Sequence, residues 1–236
     1  MRQTRGRRSQ SSFVVPRCNW TIQYDSDMSG PADDEPQRRL TARGLKTKAR
    51  IVSAAADLMQ VKGVDATTMD DVRAASGTSK SQIYQHFRDK NELVMAVIEF
   101  VGDIVIRRET DSLGHVSTLN GLRRWRDALV QANDLRHGAY GCAIGSLAGD
   151  VADHDEAARA ALAQLFRTWS RLISGALTRM QERGSLKPDV DTDYLADGLL
   201  ASLQGGYLLA QTAGDAGPMG RALDMSLNYI ETLSTS

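Results

Sequence analysis

Lys80, Ser81, Gln82, Gln85 and His86 fall within one short segment and offer donors and acceptors of the kind that read base edges and phosphates in a DNA major groove. The residues before them supply a frame. Thr68 can N-cap a helix whose Val72 and Ala75 face inward, and Gly77 can take a sharp turn. Ser79 can then N-cap a second helix with Gln82 at its third position, an S-x-x-Q capping box. The stretch from Thr68 to Phe87 therefore reads as two short helices joined by a tight turn, a helix-turn-helix.

Other chemistry leaves few traces. His86, His115, His137 and His154 are scattered with no paired i, i+4 spacing, and no H-E-x-x-H, C-x-x-C, G-x-S-x-G or Walker-type loop occurs. No catalytic residue, metal site or cofactor is expected, and so no enzyme. Cys142 lies near a helix start in Gly141-Cys-Ala-Ile-Gly-Ser146, which admits a redox sensor or a small buried loop residue. Phe100, Trp125, Tyr140, Phe166, Trp169 and Tyr207 either line a ligand cavity or pack the core.

The elements that must position these residues are helical. Ile51, Ala55, Leu58 and Met59 recur at the spacing of one buried face between Leu45 and Lys62. Asp89 can cap a helix carrying an apolar stripe from Leu93 to Val105 and ending about Arg108; it bridges two domains. A further helix is expected from Leu119 to Asn133, then a loop with three glycines from Arg136 that starts a helix at Ser146. Helices over 155–183, from Asp191 or Thr192 through Leu208, and over 219–233 follow. No strand pattern of convincing length occurs. The expected fold is all-α, about nine helices, with a three-helix head over 41–90 and a helical bundle over 91–236.

Residues 1–40 show no periodicity and read as a mobile tail, whose Arg2, Arg5, Arg7 and Arg8 could form a minor-groove arm; Met28 is an alternative start. The chain has 236 residues, 42% of them apolar, and no net charge. Residues 41–90 carry nine Lys/Arg against five Asp/Glu, and 91–236 carry thirteen against nineteen, so the basic part coincides with the helix-turn-helix. Arg43, Lys46 and Lys48 open the first helix where a phosphate backbone would lie. Only two cysteines occur and no apolar run approaches a membrane span or a signal peptide, so a cytoplasmic protein without membrane contact is expected.

Tyr84, His86-Phe87, Lys90 and Leu93 match a Y-x-H-F-x-x-K-x-x-L pattern, preceded by a first helix over 48–62 that ends at Gly63. These about 50 residues strongly resemble the DNA-binding domain of the TetR family of bacterial transcriptional repressors. Arg73, where that family has a small alanine, and Thr78, where it has a turn valine, depart from the pattern. Gly141-Cys-x-x-Gly-Ser-Leu147 resembles a signature of the family's LmrA/YxaF-like branch. The resemblance implies a homodimer, formed by the last two helices, on a palindromic DNA operator. DNA contacts would come from Arg43, Lys46, Lys48, Thr68, Thr78, Ser79, Lys80, Ser81, Gln82, Tyr84, Gln85, His86 and Lys90. It also implies a small-molecule effector, largely apolar, in a bundle pocket for which Phe100, Trp125, Tyr140, Cys142, Phe166, Trp169, Gln204 and Tyr207 are candidates. Gly198, Ala201, Gly205, Gly206 and Ala210 either allow close helix approach in the dimer, with Leu203 and Ala210 as its test positions, or leave space for a bulky neighbour or ligand in the core. The competing reading is a ligand-binding or protein-interaction bundle whose head no longer reads DNA. Deleting residues 1–27 is expected to leave thermal stability, dimerisation and DNA affinity unchanged; a salt-sensitive loss of affinity in a titration would identify an electrostatic arm instead.

Overall fold

A computed structural model describes residues 41–235, so the expectations for residues 1–40 lie outside the described residues. The described residues form nine helices and no strand: α1 (Ala42–Lys62), α2 (Met69–Ser76), α3 (Lys80–His86), α4 (Lys90–Leu113), α5 (Leu119–Asp134), α6 (Ala143–Val151), α7 (Glu156–Glu182), α8 (Thr192–Ala213) and α9 (Gly217–Thr232). Helix starts fall where side-chain oxygens can take the free N–H groups of a first turn. Thr68, Ser79, Asp89, Thr118, Asp155 and Asp191 all cap in this way.

Several details differ from the sequence expectation, among them two helix boundaries and the buried face of α2. α4 runs on to Leu113, because Leu113 is fully buried and Arg179 of α7 donates to the Leu113 and Val116 carbonyls at 2.6 and 2.9 Å. α6 begins at Ala143 rather than Ser146, since Cys142 acts as N-cap with its sulfur accepting from the Gly145 N–H. In α2 the inward residues are Val72 and Ser76, while Ala75 is exposed.

α1 packs on α2 and α4, and α4 continues from the head into the bundle against α6 and α7. α8 lies between α7 and α9, and α5 packs on α9. One contiguous apolar core spans head and bundle, with Ile51, Val72, Ile83 and Phe87 at one end and Trp169, Ile173 and Leu203 at the other.

A buried carboxylate ties α4 to α5. Glu109 is 1% exposed, accepts the Trp125 indole N–H at 2.8 Å and pairs with the Arg108 guanidinium at 2.7 Å. Trp125 is therefore a structural residue, saturated by Glu109 and absent from the cavity lining. Trp169 is fully buried in the core and is absent from that lining too. Trp125→Phe strands one Glu109 oxygen, and an unsatisfied buried acceptor costs about 1–3 kcal/mol; chemical denaturation is expected to register a loss of that size.

Candidate DNA-reading head and ligand cavity

α3 is only seven residues long, so it is held by its ends and its inner face rather than by intrinsic propensity. Ser79 Oγ accepts the Gln82 N–H at 3.2 Å, and Gln82 Oε1 accepts the Ser79 N–H at 2.9 Å. Ile83 and Phe87 bury the inner face. Lys80, Ser81, Tyr84 and Gln85 are left exposed together on the outer face, with His86 half-buried at its edge.

The basic opening of α1 lies beside this face. Lys48 Nζ sits 5.7 Å above the Phe87 ring, and burial together with the Lys48 charge lowers the His86 pKa below its ordinary 6.5. Arg43 and Lys46 are exposed five and two residues before Lys48 in α1. Lys90 is half-buried, and its ammonium donates to the Asp65 carbonyl at 3.1 Å, joining the start of α4 to the loop before α2.

Some expected contact residues have other work in the fold. Thr78 is buried and shares a 2.9 Å hydrogen bond with Ser76 Oγ, so its hydroxyl stabilises the turn and does not face outward. Thr68 and Asp71 cap α2 reciprocally, and the Thr68 N–H with the Lys62 ammonium holds the Asp71 carboxyl down to about 2. Arg73 lies on the outer side, paired with Asp70 at 3.1 Å, and leaves the packing of α2 undisturbed. Both departures from the resembled pattern are thereby accommodated.

In the bundle, a cavity of about 680 Å³ opens between α6, α7 and α8. That volume is in the range of small-molecule sites. Cys142, Phe166, Gln204 and Tyr207 line it, as expected, together with Ser146, Leu200 and Gln211. Phe100, Trp125, Tyr140 and Trp169 do not. Phe100 packs against the core instead, and Tyr140 takes a left-handed backbone, φ +68°, in the loop before α6. Burial pushes the Cys142 thiol up, opposed in part by the Gly145 N–H. The site lacks the thiolate character that a redox sensor needs. Burial also raises the Tyr207 phenol, so the lining is neutral around its middle.

Three glycines let the loop and α6 approach α8. A Cβ at Gly138 would collide with the Ala210 carbonyl; one at Gly141 would lie 2.9 Å from Gln211 Oε1, and one at Gly145 2.8 Å from Gln204 Oε1. The other end of α6 reaches the head. Asp150 Oδ2 accepts the Val64 N–H at 2.7 Å, directly after Gly63, whose φ of +83° and closeness to Asp150 suit only glycine. Sequence reasoning missed Asp150, and no local signal marks it, because its partner lies 86 positions away.

A helix-turn-helix head joined by two helices to a bundle with a ligand-sized cavity defines a DNA-binding regulator with a ligand-binding domain. Residues 51–97 match the family "Bacterial regulatory proteins, tetR family", and residues 118–226 match "Tetracyclin repressor-like, C-terminal domain". The chain belongs to the TetR family of transcriptional regulators. It is 26% identical to the transcriptional repressor DhaR of a Mycobacterium species, over 69% of this chain and 81% of that protein. It is 23% identical to the uncharacterised regulator YxaF of Bacillus subtilis, over 76% of this chain and 92% of that one. A TetR regulator from Chloroflexus aurantiacus superposes with a TM-score of 0.72 at 27% identity, covering 82% of this chain and 98% of its own. No helix among the described residues is long and apolar enough to cross a membrane.

Asp150→Ala is expected to lower stability by about 1–3 kcal/mol, because the Val64 N–H loses its acceptor. Hydrogen exchange at the Val64 amide is expected to accelerate, and Asp150→Asn, which keeps an acceptor oxygen, to retain part of the protection.

Proposed function

We propose that this protein is a repressor that acts in the cytoplasm, binds a palindromic operator as a homodimer and leaves it when a small, largely apolar molecule fills the bundle cavity. The observation that carries this reading is the joint placement of α6, whose first turns line the cavity and whose last turn holds the head through Asp150 and Val64. The continuous α4 is a second connection between the same two parts. An occupant that favours one spacing of the heads by about 1–3 kcal/mol changes operator affinity about 5–150-fold.

In the DNA-bound dimer, α3 of each copy enters successive major grooves about 34 Å apart. Lys80, Gln85 and His86 face base edges or nearby phosphates; Tyr84, Arg43, Lys46 and Lys48 anchor phosphates. Ser81 shares their face. Thr68, Thr78, Ser79 and Gln82 shape the motif by capping and turning, and Lys90 contributes from the first turn of α4.

The dimer forms through the outer face of α8 and α9. Tyr194, Leu209, Met225 and Tyr229 are all exposed there, and Gly198 and Gly205 face open space. A groove of about 540 Å³ runs between the two helices. Leu203 and Ala210, expected at this interface from sequence, are instead fully buried within the chain, and Gly206 meets Met219 of α9. The helix turns these positions inward, so a charge there unfolds the protomer and reports nothing about pairing.

The test is titration of the purified protein with duplexes from its own upstream region. Binding is expected to fall steeply with salt, as counterions are released from several phosphates; no binding at low salt would overturn the repressor reading. Tyr84→Phe and Lys46→Ala are expected to weaken all sequences alike, and Gln85→Ala to relax preference at particular base pairs. Met225→Arg is expected to give folded monomers in analytical ultracentrifugation, since a buried unpaired charge costs several kcal/mol; an intact dimer would place the interface elsewhere.

A further inference from the structure

Gln204 and Gln211 lie two turns apart on α8 and reach toward the start of α6. Glycine at 145 and 141 is what gives their amide groups room. Gln204 Nε2 is shielded from solvent and has no hydrogen-bond partner among the described residues. The Cys142 sulfur beside it is a weak acceptor and is already taken up by the Gly145 N–H at 3.4 Å. An amide donor buried without an acceptor is costly, and an occupant that supplies the acceptor recovers that free energy.

The remaining lining limits what else the occupant can be. Ala148, Phe166, Leu200 and Ala201 are apolar, and none of the described lining residues is Lys, Arg or His. Arg108, whose charge reaches Cys142 and Tyr207, is already paired with Glu109, so an anion would enter an apolar site without a free countercharge on its walls. Asp197, the one carboxylate of the lining, is an exposed residue that accepts from Ser170 Oγ at 2.5 Å, so it does not offer a cation site in the interior.

We propose that the cavity takes an uncharged, largely apolar molecule bearing a carbonyl-type acceptor, that Gln204 Nε2 recognises this acceptor, and that Gly145 governs specificity by leaving space for the amide. The proposal rests on the reading of this cavity as the effector site. Gly145 lies inside α6 with no left-handed backbone, so Gly145→Ala introduces no backbone strain and acts by displacing the flexible end of Gln204.

The experiment is calorimetric titration of the full-length protein with three compounds of similar shape, benzophenone, diphenylmethane and diphenylamine, and with 2-benzoylbenzoate, which adds an ortho carboxylate to the ketone. Benzophenone is expected to bind about tenfold more tightly than diphenylmethane, the effect of one buried donor gaining its acceptor, and the carboxylate to bind most weakly. Gln204→Leu, with folding verified by circular dichroism, is expected to bring the ketone and hydrocarbon affinities together, and Gly145→Ala to narrow the difference. Equal affinities in the unmodified protein, a preference for the amine or the carboxylate, or an unchanged ketone preference in Gln204→Leu would each overturn the acceptor assignment while leaving the cavity as a ligand site. No binding of any of the four, by protein that still binds its operator, would overturn the cavity reading together with the proposal.

Discussion

The close approach of α6 and its preceding loop to α8 is the constraint on which both halves of this molecule depend. Gly138, Gly141 and Gly145 meet the Ala210 carbonyl and the Gln211 and Gln204 amides at distances where a Cβ would collide. With side chains at those positions, α6 would stand off from α8, the cavity would change shape, and Asp150 at the far end of α6 would no longer meet Val64. The same short helix thus forms part of a ligand cavity at one end and a hydrogen bond to the DNA-reading head at the other. Nine residues of helix are stiff enough to carry a displacement between the two.

The head shows how a recognition helix too short to persist alone is made rigid. Reciprocal capping at Ser79 and Gln82, the left-handed Gly77 before it and the burial of Ile83 and Phe87 leave α3 little freedom. Its outer residues are preorganised for a groove, which lowers the ordering cost of binding. The turn itself uses a Thr78–Ser76 hydroxyl pair where an apolar side chain would serve in the resembled pattern. Polar atoms in a buried turn are tolerated because they satisfy each other.

Buried polar groups in the bundle differ in how they are satisfied; Trp169 Nε1, Asn133 Oδ1 and Arg126 Nε are shielded away from the cavity without a hydrogen-bond partner among the described residues. Glu109 is fully satisfied, by Trp125 and Arg108, and so serves as a fixed brace between α4 and α5. The Gln204 amide nitrogen has no partner and faces a cavity. A satisfied group rigidifies the core, whereas an unsatisfied one at a cavity wall is poised for an external partner.

Local signals in the sequence determined the helix-turn-helix, the caps at Thr68, Ser79 and Asp89, the all-α fold and the basic character of the head, because periodicity, capping chemistry and charge are properties of neighbouring residues. Which bundle residues meet the cavity was not legible in this way: of eight candidates suggested by the family resemblance, Cys142, Phe166, Gln204 and Tyr207 line it and the other four do not. Tertiary structure alone decided that Trp125 and Trp169 belong to the core, that Leu203 and Ala210 turn inward while Met225 and Tyr229 stay outside, and that Asp150 reaches Val64. An aromatic or a small residue on a helix has the same local signature whether it meets a cavity, a core or open solvent; the distinction lies in which other helix passes within a few ångströms of it, and that is set by contacts between residues far apart in the chain.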